Sequence, residues 1–271
     1  MSERNGGWEH ERYCAAIAAE ISHLAGVADR ADLAAQVPAC PGWTIARLLK
    51  HVGIAHRWAG HIVRNRITEP VRPRDIEIGL PDSEAEFVAW VAAGAAPLVE
   101  ALRQAGPDAQ VWTWGAGQNA HWWARRMCHE TTVHRADAEL ALGRVPEVEP
   151  AAAADGIDEF LTILAPAIGE RLREVRREGQ TIHLHATSPP TGHAAGSPAR
   201  PDAASPAEWL ITLHDGRFRW KRQHGKATVA VRGQGGDLLL LTYGRLKPPD
   251  GRFEVFGDRL LLDDWLRLSA F

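Results

Sequence analysis

Apolar residues recur at helical spacing through the first half of the chain and at alternate positions through the second. Residues 9–29 hold no proline and carry a 3.6-residue apolar period, which predicts a first helix. The cluster Val37-Pro-Ala-Cys-Pro-Gly-Trp43 breaks the pattern. Thr44 is a suitable N-cap for a second helix reaching about Asn65. Proline-containing residues 66–81 read as a long loop. Ser83-Glu-Ala-Glu86 has the form of a capping box for a third helix ending near Ala105, with a kink expected at Pro97. Asn119 caps a fourth helix, residues 120–142, which Gly143 stops. Four helices with short and medium connections suggest a bundle.

The second half changes character. Residues 151–178 read as one more helix, interrupted around Pro166, and residues 188–205 as a flexible loop. Residues 181–186 alternate polar and apolar. Residues 209–214 and 217–220 flank Asp215-Gly216, the signature of a β-hairpin. Residues 226–231 predict another strand, and 236–244 and 258–268 predict helices. The chain therefore divides near 145–150 into a helical domain, residues 1–147, and an α+β domain, residues 148–271.

Composition narrows the function classes. The 271 residues carry 31 basic and 34 acidic side chains, a net charge of −3, without the basic surplus of a nucleic-acid binder. No unbroken apolar run reaches the roughly 18 residues of a membrane span, and the polar, charged start predicts no secretory signal. Cys14, Cys40 and Cys128 form no metal or disulfide pattern, which fits a reducing cytoplasm. The 13 histidines are the feature to explain, because histidine is both the commonest metal ligand and the usual acid/base residue.

The fourth helix holds the most informative constellation. At about 100° per residue, Trp123, Met127, Glu130, His134, Asp137, Ala138 and Ala141 share one face. Trp123 and Met127 turn that face inward. A carboxylate there requires a cation or a metal. Glu130 and His134 stand one turn apart and can bind one ion. His129 falls about 140° from His134, off the inner face, so His-Glu-x-x-His zinc-protease spacing is not met. A catalytic zinc site needs a third protein ligand. His51 and His56 lie at the two edges of the buried face of the second helix, and periodicity does not choose between them. His61 points away from that face, and His121 begins the fourth helix on the wrong side. Asp137, one turn after His134, is placed either to orient a ligand imidazole or to pair with Arg126 or Arg135.

Two motifs carry a resemblance. Cys40-Pro-Gly-Trp-Thr-Ile-Ala-Arg-Leu-Leu-Lys-His51 resembles the entry motif of the mycothiol-dependent maleylpyruvate isomerase family. His129-Glu-Thr-Thr-Val-His-Arg-Ala-Asp137 resembles its second motif. The resemblance implies His51, Glu130 and His134 as ligands of a divalent metal, zinc foremost. It also implies a DinB-like four-helix bundle followed by a small α+β domain resembling sterol carrier proteins. Gly236-Asp-Leu-Leu-Leu-Leu-Thr-Tyr-Gly-Arg245 resembles a further segment whose arginine belongs to the active site, which implies a catalytic and cofactor-binding role for Arg245. A helix C-terminal cation is the plainer reading of that residue.

The implied chemistry uses a low-molecular-weight thiol, mycothiol. Coordinated as its thiolate, it adds to an activated C=C bond, which rotates before the thiol leaves, or it stays on the electrophile as in an S-transferase. Asp137 would support the site. Most of the tryptophans read as core or domain-interface residues, and Trp123, with Trp112, Trp114 and Trp122, is alternatively the wall of a cofactor pocket. The partners expected are a small electrophile and a thiol, with no nucleic acid and no membrane, in a monomer or homodimer. Two alternatives remain. One is a binding protein with a closed, structural metal site. The other is a metal-free bundle, which a buried arginine bridging Glu130 would favour. His183 and His185, on the strand at 181–186, need no role beyond surface or core.

Overall fold

The structure, a computed structural model, describes residues 7–167, 172, 177–187, 207–214 and 216–269. The chain forms two compact units, Met1–Glu147 and Val148–Phe271. A helical unit followed by a small α+β unit is the order the sequence predicts.

The first unit is built from α1 (His10–Ala28), α2 (Ile45–Arg64), α3 (Phe87–Ala93), α4 (Ala95–Ala105) and α5 (Ala120–Ala141). Two helix starts follow the predicted caps. The Thr44 hydroxyl accepts from the Arg47 N–H at 3.2 Å, and the Asn119 side chain accepts from the Trp122 N–H at 3.0 Å. Gly143 leaves α5 at φ +68°. The third helix is divided at Gly94 into α3 and α4, rather than kinked at Pro97. Proline lacks an N–H, and its ring crowds the carbonyl four residues back, here Ala93, so the discontinuity falls one turn before it.

Together these pieces make Glu84–Ala105 long and apolar enough to cross a membrane by length and composition alone, although it holds no unbroken apolar run of 18 residues. Here Phe87, Trp90, Val91, Leu98 and Leu102 of this stretch are buried in the bundle core, where α3 and α4 pack on α1 and α2.

Helix α5 is buried on nearly every side, not along one face. Its centre is polar: Thr131, Thr132, His134, Arg135, Asp137 and Glu139 are all buried. His129, expected on a flank, is fully buried, edge-on to Tyr13. Buried polar groups must find partners. Thr131 and Thr132 donate to the carbonyls of Met127 and Cys128 at 2.6 and 3.0 Å. Arg135 donates to Glu20 at 2.6 Å, to Glu139, and to the Glu147 carbonyl at 2.8 Å.

The second unit holds α6 (Pro150–Ala167), β1 (Thr181–Thr187), β2 (Glu208–His214), β3 (Arg217–Arg222), β4 (Val229–Gln234), α7 (Gly235–Thr242), β5 (Glu254–Gly257) and α8 (Arg259–Leu268). The sheet order is β3-β2-β1-β4-β5, with β1 and β4 parallel and the other pairs antiparallel. Alternation sends Ile182, Leu184 and Ala186 of β1, and Trp209 and Ile211 of β2, to the buried face. Helices cover that face: Trp209 donates to Asp158 of α6 at 2.7 Å, and Phe218 meets Trp265 of α8 edge-on.

β4 begins three residues later than predicted. Thr181 and Thr228 exchange side-chain and backbone hydrogen bonds at 3.0 and 3.1 Å, and the parallel ladder starts only beyond them, at Ile182↔Val229. β5, four residues on the sheet edge, is too short to show a period. Helix α6 runs through Pro166 to Ala167. Most of the continuation expected to 178, the loop 188–205 and the turn residue Asp215 lie outside the described residues.

Candidate metal centre

The site forms where α2 enters the bundle beside the middle of α5. Cys40 to Trp43 makes a tight turn, with the Trp43 N–H donating to the Cys40 carbonyl at 2.9 Å. Pro41 occupies the second position and Gly42, at φ +77°, the third, as a type II turn demands. The turn delivers the Trp43 ring onto both site histidines. It stacks on His134 with centroids 6.0 Å apart and tilts against His51 at 5.0 Å.

Glu130 is the centre of the cluster. His51 Nε2 donates to its Oε1 at 2.8 Å, and His134 Nε2 lies 3.3 Å from the same oxygen. Arg126, one turn earlier and buried, donates to the other oxygen, Oε2, at 3.1 Å. Behind His134, its Nδ1 donates to the fully buried Asp137 at 2.9 Å. Asp137 also receives the Cys40 thiol at 3.8 Å. One donor atom from each of His51, Glu130 and His134 lies within 4.8 Å of the others.

Charge follows geometry. Burial pushes the Glu130 carboxyl up, but His134, the two histidine hydrogen bonds and Arg126 outweigh it and hold the group well below the usual carboxylate range. Burial alone would lower His134. The charge of Glu130 and the hydrogen bond to Asp137 outweigh it and raise the imidazole to about 9. At His56 the charge of Glu130 also pulls upward but does not offset burial. His56 is fully buried, donates through Nε2 to the Thr131 hydroxyl at 2.9 Å, and is driven down to about 3 by desolvation.

Two imidazole nitrogens and a carboxylate oxygen are donors that zinc accepts, and three protein ligands leave a coordination position open. Two of the three ligands are also held through their other atoms. Asp137 orients His134 and Arg126 fixes Glu130, which is how outer contacts aim metal ligands. The donor set therefore fits a divalent ion.

Two family models match: the mycothiol maleylpyruvate isomerase N-terminal domain over residues 14–139, and the C-terminal domain of the same family over residues 151–264. The chain belongs to the mycothiol maleylpyruvate isomerase family. Among solved structures, the mycothiol-dependent maleylpyruvate isomerase aligns over 92% of this chain and 93% of its own, with a TM-score of 0.51 and 16% identity. A histidine-to-alanine mutant of that enzyme aligns over 88% and 90%, with the same TM-score and identity. At that identity the likeness is one of fold. Among curated proteins, none matches the sequence.

The sequence-predicted residues are placed as follows. His51, Glu130, His134 and Asp137 come together, whereas His56 turns to Thr131. Trp123 sits elsewhere. It is fully buried, donates through Nε1 to the Trp112 carbonyl at 2.8 Å, and packs edge-on against Trp58 and Trp122 two turns before Glu130. It is a core residue here, not an exposed pocket wall. Arg245, in the second unit, is half-buried beyond the end of α7 and donates to the Tyr243 carbonyl at 2.7 Å.

Sequence reasoning missed Arg126 as the partner of Glu130 and Trp43 as the lid over both imidazoles. The i,i+4 spacing from 126 to 130 could have pointed to the first. Nothing local signals the second.

Proposed function

We propose that this protein is a metal-dependent enzyme that uses a low-molecular-weight thiol, mycothiol, to isomerise a small electrophile or to transfer the thiol to it. The observation that carries the reading is the convergence of His51 and His134 on one oxygen of Glu130, in a chain of this family. A bound divalent ion, zinc foremost, would supply an open position at which a thiol is held as its thiolate.

The chain's own residues set the terms for that. Glu130, Asp137 and Arg126 sum to −1 when both histidines are neutral. A divalent ion leaves +1, which favours an anionic sulfur over a neutral thiol. Asp137 keeps the His134 Nδ1 protonated, so Nε2 is the nitrogen offered to a metal. Trp43 covers the imidazoles and keeps water from that side. We assign Arg245 the recognition of an anionic group on thiol or substrate, on the strength of the family motif. Cys14, Cys40 and Cys128 form no disulfide, and we place the reaction in the cytoplasm, where small thiols stay reduced.

A second reading has its own observation. Arg126 bridges Glu130 from a buried position, and a protonated His134 completes an ion-paired, metal-free core. Metal analysis separates the two. The proposal expects His51→Ala to lose one equivalent of zinc, and an unchanged metal content would remove His51 from the ligand set. Activity is then screened with mycothiol against maleylpyruvate and a panel of electrophiles. Turnover that persists when the thiol is omitted would sink the thiol-dependent mechanism. Arg245→Lys is expected to raise KM with metal content intact.

A further inference from the structure

A second cluster of metal-ligating side chains stands in the α+β unit. His183 and His185 are two residues apart on β1, so both leave the face opposite the helices. Glu208 of β2 is the antiparallel partner of His185 and shares that face. His224, from the connection between β3 and β4, closes over it. Three rings turn a nitrogen to one carboxylate. His183 Nε2 donates to Glu208 Oε2 at 2.8 Å, and His224 Nδ1 donates to the same oxygen at 2.6 Å. His185 Nδ1 lies 3.6 Å from Oε1. One donor atom from each of the four residues lies within 4.8 Å of the others.

We propose that His183, His185, Glu208 and His224 form a second binding site for a divalent first-row transition metal, with zinc as its reference ion. Three imidazoles and a carboxylate supply four donors, which complete a tetrahedral shell and leave no open position. With metal–ligand distances near 2.0–2.1 Å, the edges of that tetrahedron are about 3.3 Å. The widest donor separations, up to 4.8 Å, need to close by about 1.5 Å at most, while the pairs at 2.8 and 2.6 Å open by about half an ångström to let the ion in. The fixed part is already in place. His183 is buried on the central strand, and strand geometry sets His185 beside it. The adjustable part is His224, whose side chain is 78% exposed on a connection rather than a strand.

The site would be structural. It pins the β3–β4 connection to the outer face of β1 and β2, and it supplies no position for substrate. Neutral imidazoles with Glu208 and a divalent ion sum to +1. The same four side chains without an ion are a histidine–carboxylate network, which is the outcome the test must exclude. The inference stands apart from the His51 site, because the two share no residue and lie in different units.

The full chain, stripped with chelator and reloaded with zinc, is weighed by native mass spectrometry. Two ions per chain are expected. His185→Ala/His224→Ala is expected to hold one, and His51→Ala also one, each losing a different site. A double variant that still holds two ions overturns the proposal. So does wild-type protein that holds one ion, lost on His51→Ala. His224→Ala alone changes only a solvent-facing ring, so it keeps the test valid should the double variant misfold. It is expected to weaken the second zinc at least tenfold, and equal affinity overturns the site. In wild-type protein the imidazole nitrogen resonances of His183 and His185 should shift when the second equivalent binds. Resonances that do not move contradict it.

Discussion

The raised His134 imidazole gives metal binding a defined pH dependence. A metal takes only neutral imidazole, so the ion must displace the His134 proton below about pH 9. One proton then leaves His134 per ion. Each pH unit below 9 costs a factor of ten in apparent affinity, which from pH 9 to pH 7 amounts to about 100-fold, or about 2.7 kcal/mol.

The assay is competition against a chelator of known pH dependence at pH 7, 8 and 9. It is read as the difference between wild-type and His51→Ala protein, so that only this site contributes. Calorimetry in buffers of different ionisation heat counts the released protons. Asp137→Asn removes the carboxylate that holds the His134 proton, and the slope should flatten. Affinity that is level from pH 7 to 9 with no proton release would refute the reasoning. The sign is fixed by linkage. Without metal, the raised His134 stabilises the fold below pH 6.5, and that stability is lost as pH rises through about 9.

Three further outcomes are expected. In metal-free protein, His56 is neutral in the fold down to about pH 3 and takes a proton in the unfolded chain near 6.5, so stability falls as pH drops from 6.5. From pH 6.5 to 4.5, denaturant titration of wild type should lose about 2–3 kcal/mol more than His56→Asn, and parallel losses would contradict this. Arg135→Ala strands Glu20 and Glu139 beside the site of a fully buried guanidinium; a loss of about 3–5 kcal/mol in urea unfolding is expected, and a loss under 1 kcal/mol would show the network to be dispensable. Gly53 lies where α2 meets the Trp90 ring, and an added methyl would overlap that ring. Gly53→Ala should therefore cost about 1–3 kcal/mol by overpacking, measured as a lower Tm, and an unchanged Tm would argue that Trp90 moves aside freely.

Much of the architecture was legible because it rests on local physics. Thr44 and Asn119 cap helices since their side chains reach the first free N–H groups. Asp258, beginning the last helix, accepts from the Leu261 N–H at 3.2 Å for the same reason. The hairpin of β2 and β3 follows from two alternating runs about a short turn. What was not legible depends on partners distant in the chain. A helix wheel assumes one wet side, so it made His129 a flank residue, yet α5 is surrounded. β5 exists because β4 offers it an edge. Its four residues carry no period of their own.

The candidate site divides in the same way. Helix geometry alone sets Glu130, His134 and Asp137 on one side of one helix, because residues three and four apart stand one above another. Strand geometry alone sets His183 and His185 on one face. His51 and His56, five residues apart, point about 140° from each other on α2. Periodicity describes rotation about a helix's own axis and says nothing of what stands opposite. Only the packing of α2 against α5 turned His51 to Glu130 and His56 to Thr131. Likewise, only the pairing of β1 with β2 and the path of the next connection brought Glu208 and His224 to two histidines that the sequence left without a role.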